Sequence, residues 1–358
     1  MSHPSTSAEK DGNGALRLGP RKKASQPDPL VHHGRHFGRT IHALANFQAL
    51  ITNGLLRLGE LAETPDDHFT AEERREHRIY QTLLQSVPGL EERIINGSNE
   101  EVMIVSELLQ RGSSAARSDD TKSIKGPIID WITPRGQHLT PPLPRNTKME
   151  RGYHHESTGR LLCPAGLDWS LEEVKHKLQS GEMVVSGDQW PMFLYQGYRY
   201  DADDPWKGLF RSDLLVTAFK HIFTSPSSVD KEPKATRAGN ARIHGMTQVT
   251  GASIVYVATQ VRFALSSSAI FSRTDTITDS ETFYSSACEL FDDPEESEEV
   301  GDLLVWWNRQ IFPNYSSARK AVSKNSALAK IREKRAAMKA AGRNSSTNAV
   351  PGGPPGNA

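Results

Sequence analysis

Three clusters in this 358-residue chain carry residue types that can do chemistry. The first is His32-His-Gly-Arg-His36, with His42 beyond it. On a helix, His32 and His36 would share a face, as in a two-histidine metal site. No Glu or Cys stands at a matching offset, and Arg35 and Arg39 are poor neighbours for a cation. Zinc needs three or four converging ligands, so the cluster is expected to be the basic start of a helix with surface imidazoles. The second cluster is Asp201-Ala-Asp-Asp204, three carboxylates in four residues. Such a group can hold Mg²⁺ or deliver a proton. Adjacent carboxylates raise one another's pKa, and Asp204 before Pro205 fits a helix cap instead. The cap is the expected role.

The third cluster is Lys231, Lys234, Arg237, Arg242 and His244, with Ser225, Ser227, Ser228, Thr236 and Asn240 close by. Guanidinium, ammonium and hydroxyl groups in a loop can wrap phosphates. The same residues also make an ordinary solvated loop whose cations pair with acids elsewhere. Both readings stay open. No phosphate-binding Gly-x-x-x-x-Gly-Lys loop, Gly-x-Gly-x-x-Gly turn, Gly-x-Ser-x-Gly elbow or His-Glu-x-x-His pair occurs. Cys163 and Cys288 stand far apart, so neither a disulfide framework nor a zinc ribbon is expected, and a reducing compartment is. No metal set is assigned, and no cofactor is called for.

The elements that must position these residues read as helices. The residues advance by threes and fours over 36–58, through Phe37, Ile41, Leu44, Gln48 or Phe47, Ile51, Leu55 and Leu58, and predict one helix. A second is expected over 72–87, before Pro88. Ser98-Asn-Glu-Glu101 is a capping box that opens a helix to Gln110, ended by Gly112. Residues 112–165 then read as a polar and Pro-rich segment, with 112–124 a linker. Ser170-Leu-Glu-Glu173 is a second capping box whose helix Gly181 closes. Residues 183–185 read as a short extended stretch. Asp188 and Asp204 each read as the cap of a short helix. A helix follows over 214–223. Residues 247–266 are small or apolar on most sides and predict a central helix. Ile254-Val-Tyr-Val257, rich in β-branched residues, keeps a strand open there. Helices over 279–291 and 294–312 complete the body, the last with an acidic first turn.

All six tryptophans lie between Trp131 and Trp307, which marks a packed middle between two polar ends. Mean hydropathy is −0.55, and the ends account for much of it. Residues 1–30 hold five Lys/Arg against three acids, and include the basic cluster Gly19-Pro-Arg-Lys-Lys23. Residues 314–358 hold nine Lys/Arg against Glu333 alone. The whole chain is neutral, so residues 31–313 carry −10. An acidic body with a basic tail suits a nucleic-acid-associated protein, or a tail that folds onto its own body. The first residues are too polar for a secretory signal. No apolar stretch approaches the roughly 20 residues of a membrane span.

Several runs resemble a large uncharacterised family of mushroom-forming (agaricomycete) fungi, the domain of unknown function 6698. They are His33-Gly-Arg-His-Phe-Gly-Arg-Thr-Ile-His42, Gly187-Asp-Gln-Trp-Pro-Met-Phe-Leu-Tyr195 and Asp204-Pro-Trp-Lys-Gly-Leu-Phe-Arg211. So are His221-Ile-Phe-Thr-Ser-Pro-Ser-Ser228, Lys234-Ala-Thr-Arg-Ala-Gly-Asn-Ala-Arg-Ile-His-Gly-Met246 and Trp306-Trp-Asn-Arg-Gln-Ile-Phe-Pro313. The resemblance spans residues 30–315 and implies no activity.

The expected architecture is mainly α: a single irregular helical domain over 31–313, a disordered arm over 1–30 and a basic, largely disordered tail over 314–358. The expected function is a non-enzymatic, intracellular and nuclear protein that binds nucleic acid or chromatin. Its contacts are expected from Lys231, Lys234, Arg237, Arg242 and His244, and from Lys330, Arg332, Lys334 and Arg335 in the tail. The alternatives are a metal-dependent enzyme and a protein-interaction scaffold. No membrane partner is expected, and the oligomeric state is not legible.

Overall fold

The computed structural model describes residues 28–224, 239–273, 278–312 and the pair 334–335. Asp28 opens α1 (Pro29–Thr40), its carboxylate accepting from the Leu30 N–H at 2.8 Å. Pro29 takes the first helical position, where a missing N–H costs nothing. The helix therefore begins inside the stretch assigned to the N-terminal arm. The single helix expected over 36–58 is two helices. After a turn, α2 (Phe47–Leu58) restarts at Asn46, whose side chain accepts from Ala49 N–H. Between them the Ala43 N–H donates to the Tyr284 hydroxyl at 2.9 Å. That remote partner gives the broken backbone an alternative to helical bonding.

α3 (Ala71–Ser86) carries a complete capping box from Thr70 and Glu73. α4 (Leu90–Ile95) is short and leads into α5 (Asn99–Lys125), the longest helix described at 27 residues. Ser98 caps it as expected, accepting from Glu101 N–H. Gly112 does not end it. The glycine instead lets α1 and α5 meet backbone to backbone. A Cβ on Gly112 would lie 2.2 Å from the Val31 carbonyl oxygen, and one on Gly34 would lie 2.2 Å from that of Leu109. The presumed linker over 112–124 is thus the second half of a packed helix, with Gly112, Ser113, Ala116, Asp120 and Ile124 buried.

α6 (Pro127–Ile132) and α7 (Glu156–Leu162) put helix into the Pro-rich segment, whose longest stretch without helix is 133–151. α8 (Glu172–Ser180) stops at Gly181 in the left-handed conformation, as its sequence predicts. Ser170 does not cap it; its N–H donates to Asp168 Oδ1 at 2.8 Å. Residues 183–185 are not a strand, and among the described residues the one β-bridge joins Pro164 and Pro191. Asp188 leads only into a 3₁₀ turn at Met192–Leu194. Asp204 caps no helix. Its carbonyl accepts from Lys207 N–H at 3.0 Å, and positive φ at Gly208 (76°) and Phe210 (54°) keeps the chain in turns.

α9 (Asp213–Phe219) starts at Ser212 and loosens into a π-helical turn at Lys220–Thr224. α10 (Asn240–Ile243) is one turn long. α11 (Gly251–Leu265) resolves the helix-or-strand ambiguity in favour of helix, with Ser253 through Leu265 all buried. α12 (Ser280–Asp292) and α13 (Ser297–Ile311) follow the expected spacing.

Two apolar clusters hold these helices. A smaller one gathers Phe37, Phe47, Leu50, Ile51, Tyr80, Leu83, Val105 and Leu109. The larger surrounds α11 with Phe193, Phe219, Phe223, Phe283 and Trp307. α5 runs through both, because Val105 and Leu109 belong to the first and Ile124 to the second. Where α1, α5 and α11 meet, Arg39 donates to both Asp120 oxygens at 2.7 and 2.9 Å. The Tyr256 hydroxyl donates to Asp120 Oδ2 at 2.6 Å. All three side chains are buried.

Candidate anion-binding groove

The continuity of α5 has a consequence on its outer face. Ser114, Arg117, Ser118, Thr121, Lys122 and Lys125 recur at intervals of three, four and one, so they share one helical face. Together with Lys148, Phe263, Ala264 and residues 269–271 they line a groove of about 490 Å³. Among the described residues, no carboxylate lines it. Asp119 and Asp120, on the same helix, are engaged with Arg35 and Arg39 of α1. Arg117, Lys122 and Lys125 form no ion pair among the described residues. Arg117 donates to the Ala43 carbonyl at 3.1 Å and stands 5.3 Å over the Phe271 ring. The Thr121 hydroxyl is committed 2.7 Å from Gln260 Oε1, whereas Ser118 is exposed.

Two buried cations shape this end of the molecule. Lys148 Nζ donates to the Phe263 carbonyl and, at 2.7 Å, to that of Ser268. Arg151, with no exposed surface, donates to the Ala264 carbonyl and to the Lys125 carbonyl, both at 2.8 Å. The Phe263, Ala264 and Lys125 carbonyls close α11 and α5, where the helix dipole is negative and backbone acceptors lack intrahelical donors. Burial pulls the Arg151 guanidinium down to about 10, which leaves it charged at neutral pH. Arg151→Met is expected to cost about 3 kcal/mol, because two helix-end carbonyls lose their donor without gaining water. Urea unfolding of the variant checks this; a loss below about 1 kcal/mol contradicts the assignment.

The sequence-derived phosphate contacts fall in several places. Lys231, Lys234, Arg237, Lys330 and Arg332 lie outside the described residues. Arg242 is exposed on α10, and Lys334 and Arg335 are exposed and helical. His244 is not a free loop residue. Its ring stacks on His32 and on His36, with centroids 4.1 and 4.6 Å apart. These imidazoles meet face to face rather than converging on a point, and among the described residues no group of three His, Cys, Asp or Glu could hold a metal ion. His32 and His36 lie on α1 with His32 exposed, and the structure adds the stack with His244; Arg242 and His244 do not line the α5 groove.

Asp201 forms no carboxylate cradle either. Its Oδ2 pairs with Lys207 at 2.8 Å, and its Oδ1 accepts from the Asp203 N–H at 3.1 Å. The Lys207 ammonium and that amide hold its carboxyl below the usual range. Burial pushes the Cys163 and Cys288 thiols up to about 11, so neither is a thiolate at neutral pH. The groove cations went unread in the sequence because they sit in the stretch taken for a linker. The three-and-four recurrence of Ser114, Arg117, Thr121 and Lys125 was the available signal. No helix among the described residues is long and apolar enough to cross a membrane.

A model of a family of unknown function (DUF6698) matches residues 111–312, which include the groove face of α5 and His244 but not His32 or His36. No curated protein matches the chain, and no solved structure does.

Proposed function

Because the chain belongs to DUF6698, a family of unknown function, no activity comes with membership, and we propose one from the geometry. The protein associates non-enzymatically with nucleic acid or chromatin in the nucleus, through phosphate contacts in the α5 groove and along the basic tail. The observation that carries this reading is the groove itself. It sets Arg117, Lys122 and Lys125 beside Ser118 in a cleft that no carboxylate lines among the described residues. Ammonium, guanidinium and hydroxyl donors of this kind bind phosphate oxygens without reading bases. On a body whose net charge is strongly negative, such a patch also orients a polyanion toward one face. The tail, rich in Lys and Arg, adds affinity that salt screens.

The test compares full-length variants in anisotropy titrations with labelled duplex and single-stranded oligonucleotides. Lys122→Glu with Lys125→Glu is expected to weaken binding at least about tenfold at low salt, since two phosphate contacts become repulsive. Neutralising Lys330, Arg332, Lys334 and Arg335 to Gln is expected to weaken it independently. If the charge-reversed groove binds like the parent, the groove is not the contact surface. If the parent binds neither probe at low salt, the whole reading fails.

A further inference from the structure

We propose that the stack of His244 on His32 and His36 is an acid-released latch holding the α10 turn against α1. This stands apart from the nucleic-acid reading. His32 and His36 are four residues apart on α1, so both present rings on one face. His244 closes α10 and lays its ring against both, with interplanar angles of 29° and 13°. Gly245, at φ 66°, supplies the bend that follows. The neighbouring anchors are not titratable: the Asn240 amide donates to the Ile222 carbonyl at 2.5 Å, and Val249 N–H donates to Asn308 Oδ1 at 2.8 Å. Ring stacking therefore makes the pH-sensitive part of the attachment.

Neutral imidazoles stack; protonated ones at this separation repel. The titratable surroundings favour the neutral form: Arg39, His32 and His33 act on His36, and His36, His32, Arg39 and His33 act on His244. The carboxylates that reach α1 from α5, Asp119 and Asp120, are taken by Arg35 and Arg39. Burial first, then Arg39 and the other imidazoles, hold His36 at about 4; burial first, then His36, His32 and Arg39, hold His244 at about 3, against an ordinary 6.5. The sign follows from proton binding. Above pH 6.5 neither state takes up protons and the latch is closed. As pH falls from 6.5 toward about 4, released His36 and His244 bind protons that they refuse in the stack, so release is favoured. At pH about 5 each freed imidazole shifts the equilibrium roughly thirtyfold toward release.

The experiment is amide hydrogen exchange on the full chain at about pH 7 and about pH 5, corrected for intrinsic rates. The reporters are Ile243 N–H, bonded to Gly239 O at 3.0 Å, and Met246 N–H, bonded to Ala241 O at 2.7 Å. Protection there is expected to fall at least about tenfold at the lower pH while α11 stays protected. His244→Phe keeps an aromatic ring in the stack and removes the proton, so its protection is expected to persist. Equal protection of the parent at both pH values overturns the latch, as does an equal acid loss in His244→Phe. Should that variant not fold, the imidazole proton resonances of the parent decide. A His244 midpoint well below 6.5 supports the latch, and one at 6.5 or above overturns it.

Discussion

Asp120→Ala is expected to destabilise the protein by about 3–5 kcal/mol. Asp120 sits where α1, α5 and α11 meet and accepts from Arg39 and Tyr256 at 2.6 to 2.9 Å. Removing the carboxylate leaves a guanidinium buried without a counter-charge and a phenol without an acceptor. Arg39 has little reserve, since its Nη1 already lacks a hydrogen-bond partner. Tyr256 does not replace the lost charge, because burial, the largest cause of its raised pKa, remains in the variant. Replacing the pair together, by Arg39→Met with Asp120→Leu, is expected to recover much of the loss, because no lone charge remains. Urea unfolding of Asp120→Leu, Arg39→Met and the double variant completes a cycle. A single-variant loss below about 1 kcal/mol shows that water reaches Arg39 and that the three-helix junction is not dry.

The second large effect concerns Gly112, and there the sign of the change is diagnostic. In an exposed helix interior, Gly→Ala stabilises by about 1 kcal/mol. Against α1 the same change is expected to destabilise by about 2–3 kcal/mol, because the new methyl would stand 2.2 Å from the Val31 carbonyl oxygen. That neighbour is backbone, so it yields only if the helices separate. Gly34→Ala meets the Leu109 carbonyl oxygen at the same 2.2 Å and is expected to behave alike. Gly181 offers the contrast: nothing lies near its would-be Cβ, and its cost would come from φ 76° alone. Thermal unfolding of Gly112→Ala decides the matter. A rise in midpoint means that α1 and α5 do not touch there.

The same glycine explains what the sequence conceals. Helices α3, α11, α12 and α13 are legible because their apolar spacing is local. α5 is not, because a glycine that stops a helix and one that admits a neighbouring backbone look the same until the neighbour is known. Reading Gly112 as a stop also dissolved the face that carries Arg117, Thr121 and Lys125. The break between α1 and α2 is hidden for a related reason. Ile41 and Leu44 keep helical spacing, and the turn between them is stabilised by Tyr284, far along the chain. His244 and His32 are likewise brought together only by the fold. What the sequence does show without the fold is chemistry by type: a basic tail, an acidic body and a run of histidines.

The most direct test of the central claim is the salt dependence of nucleic-acid binding by the full-length protein, with and without Lys122→Glu and Lys125→Glu. Each phosphate contact contributes about −0.9 to the slope of log affinity against log salt on duplex DNA. The parent is expected to bind at low salt with a slope steeper than about −3, reflecting groove and tail together. The double variant is expected to bind more weakly and to lose about two from that slope. Undetectable binding at low salt, or a slope that the double variant leaves unchanged, contradicts the assignment of the α5 groove as a phosphate-binding surface.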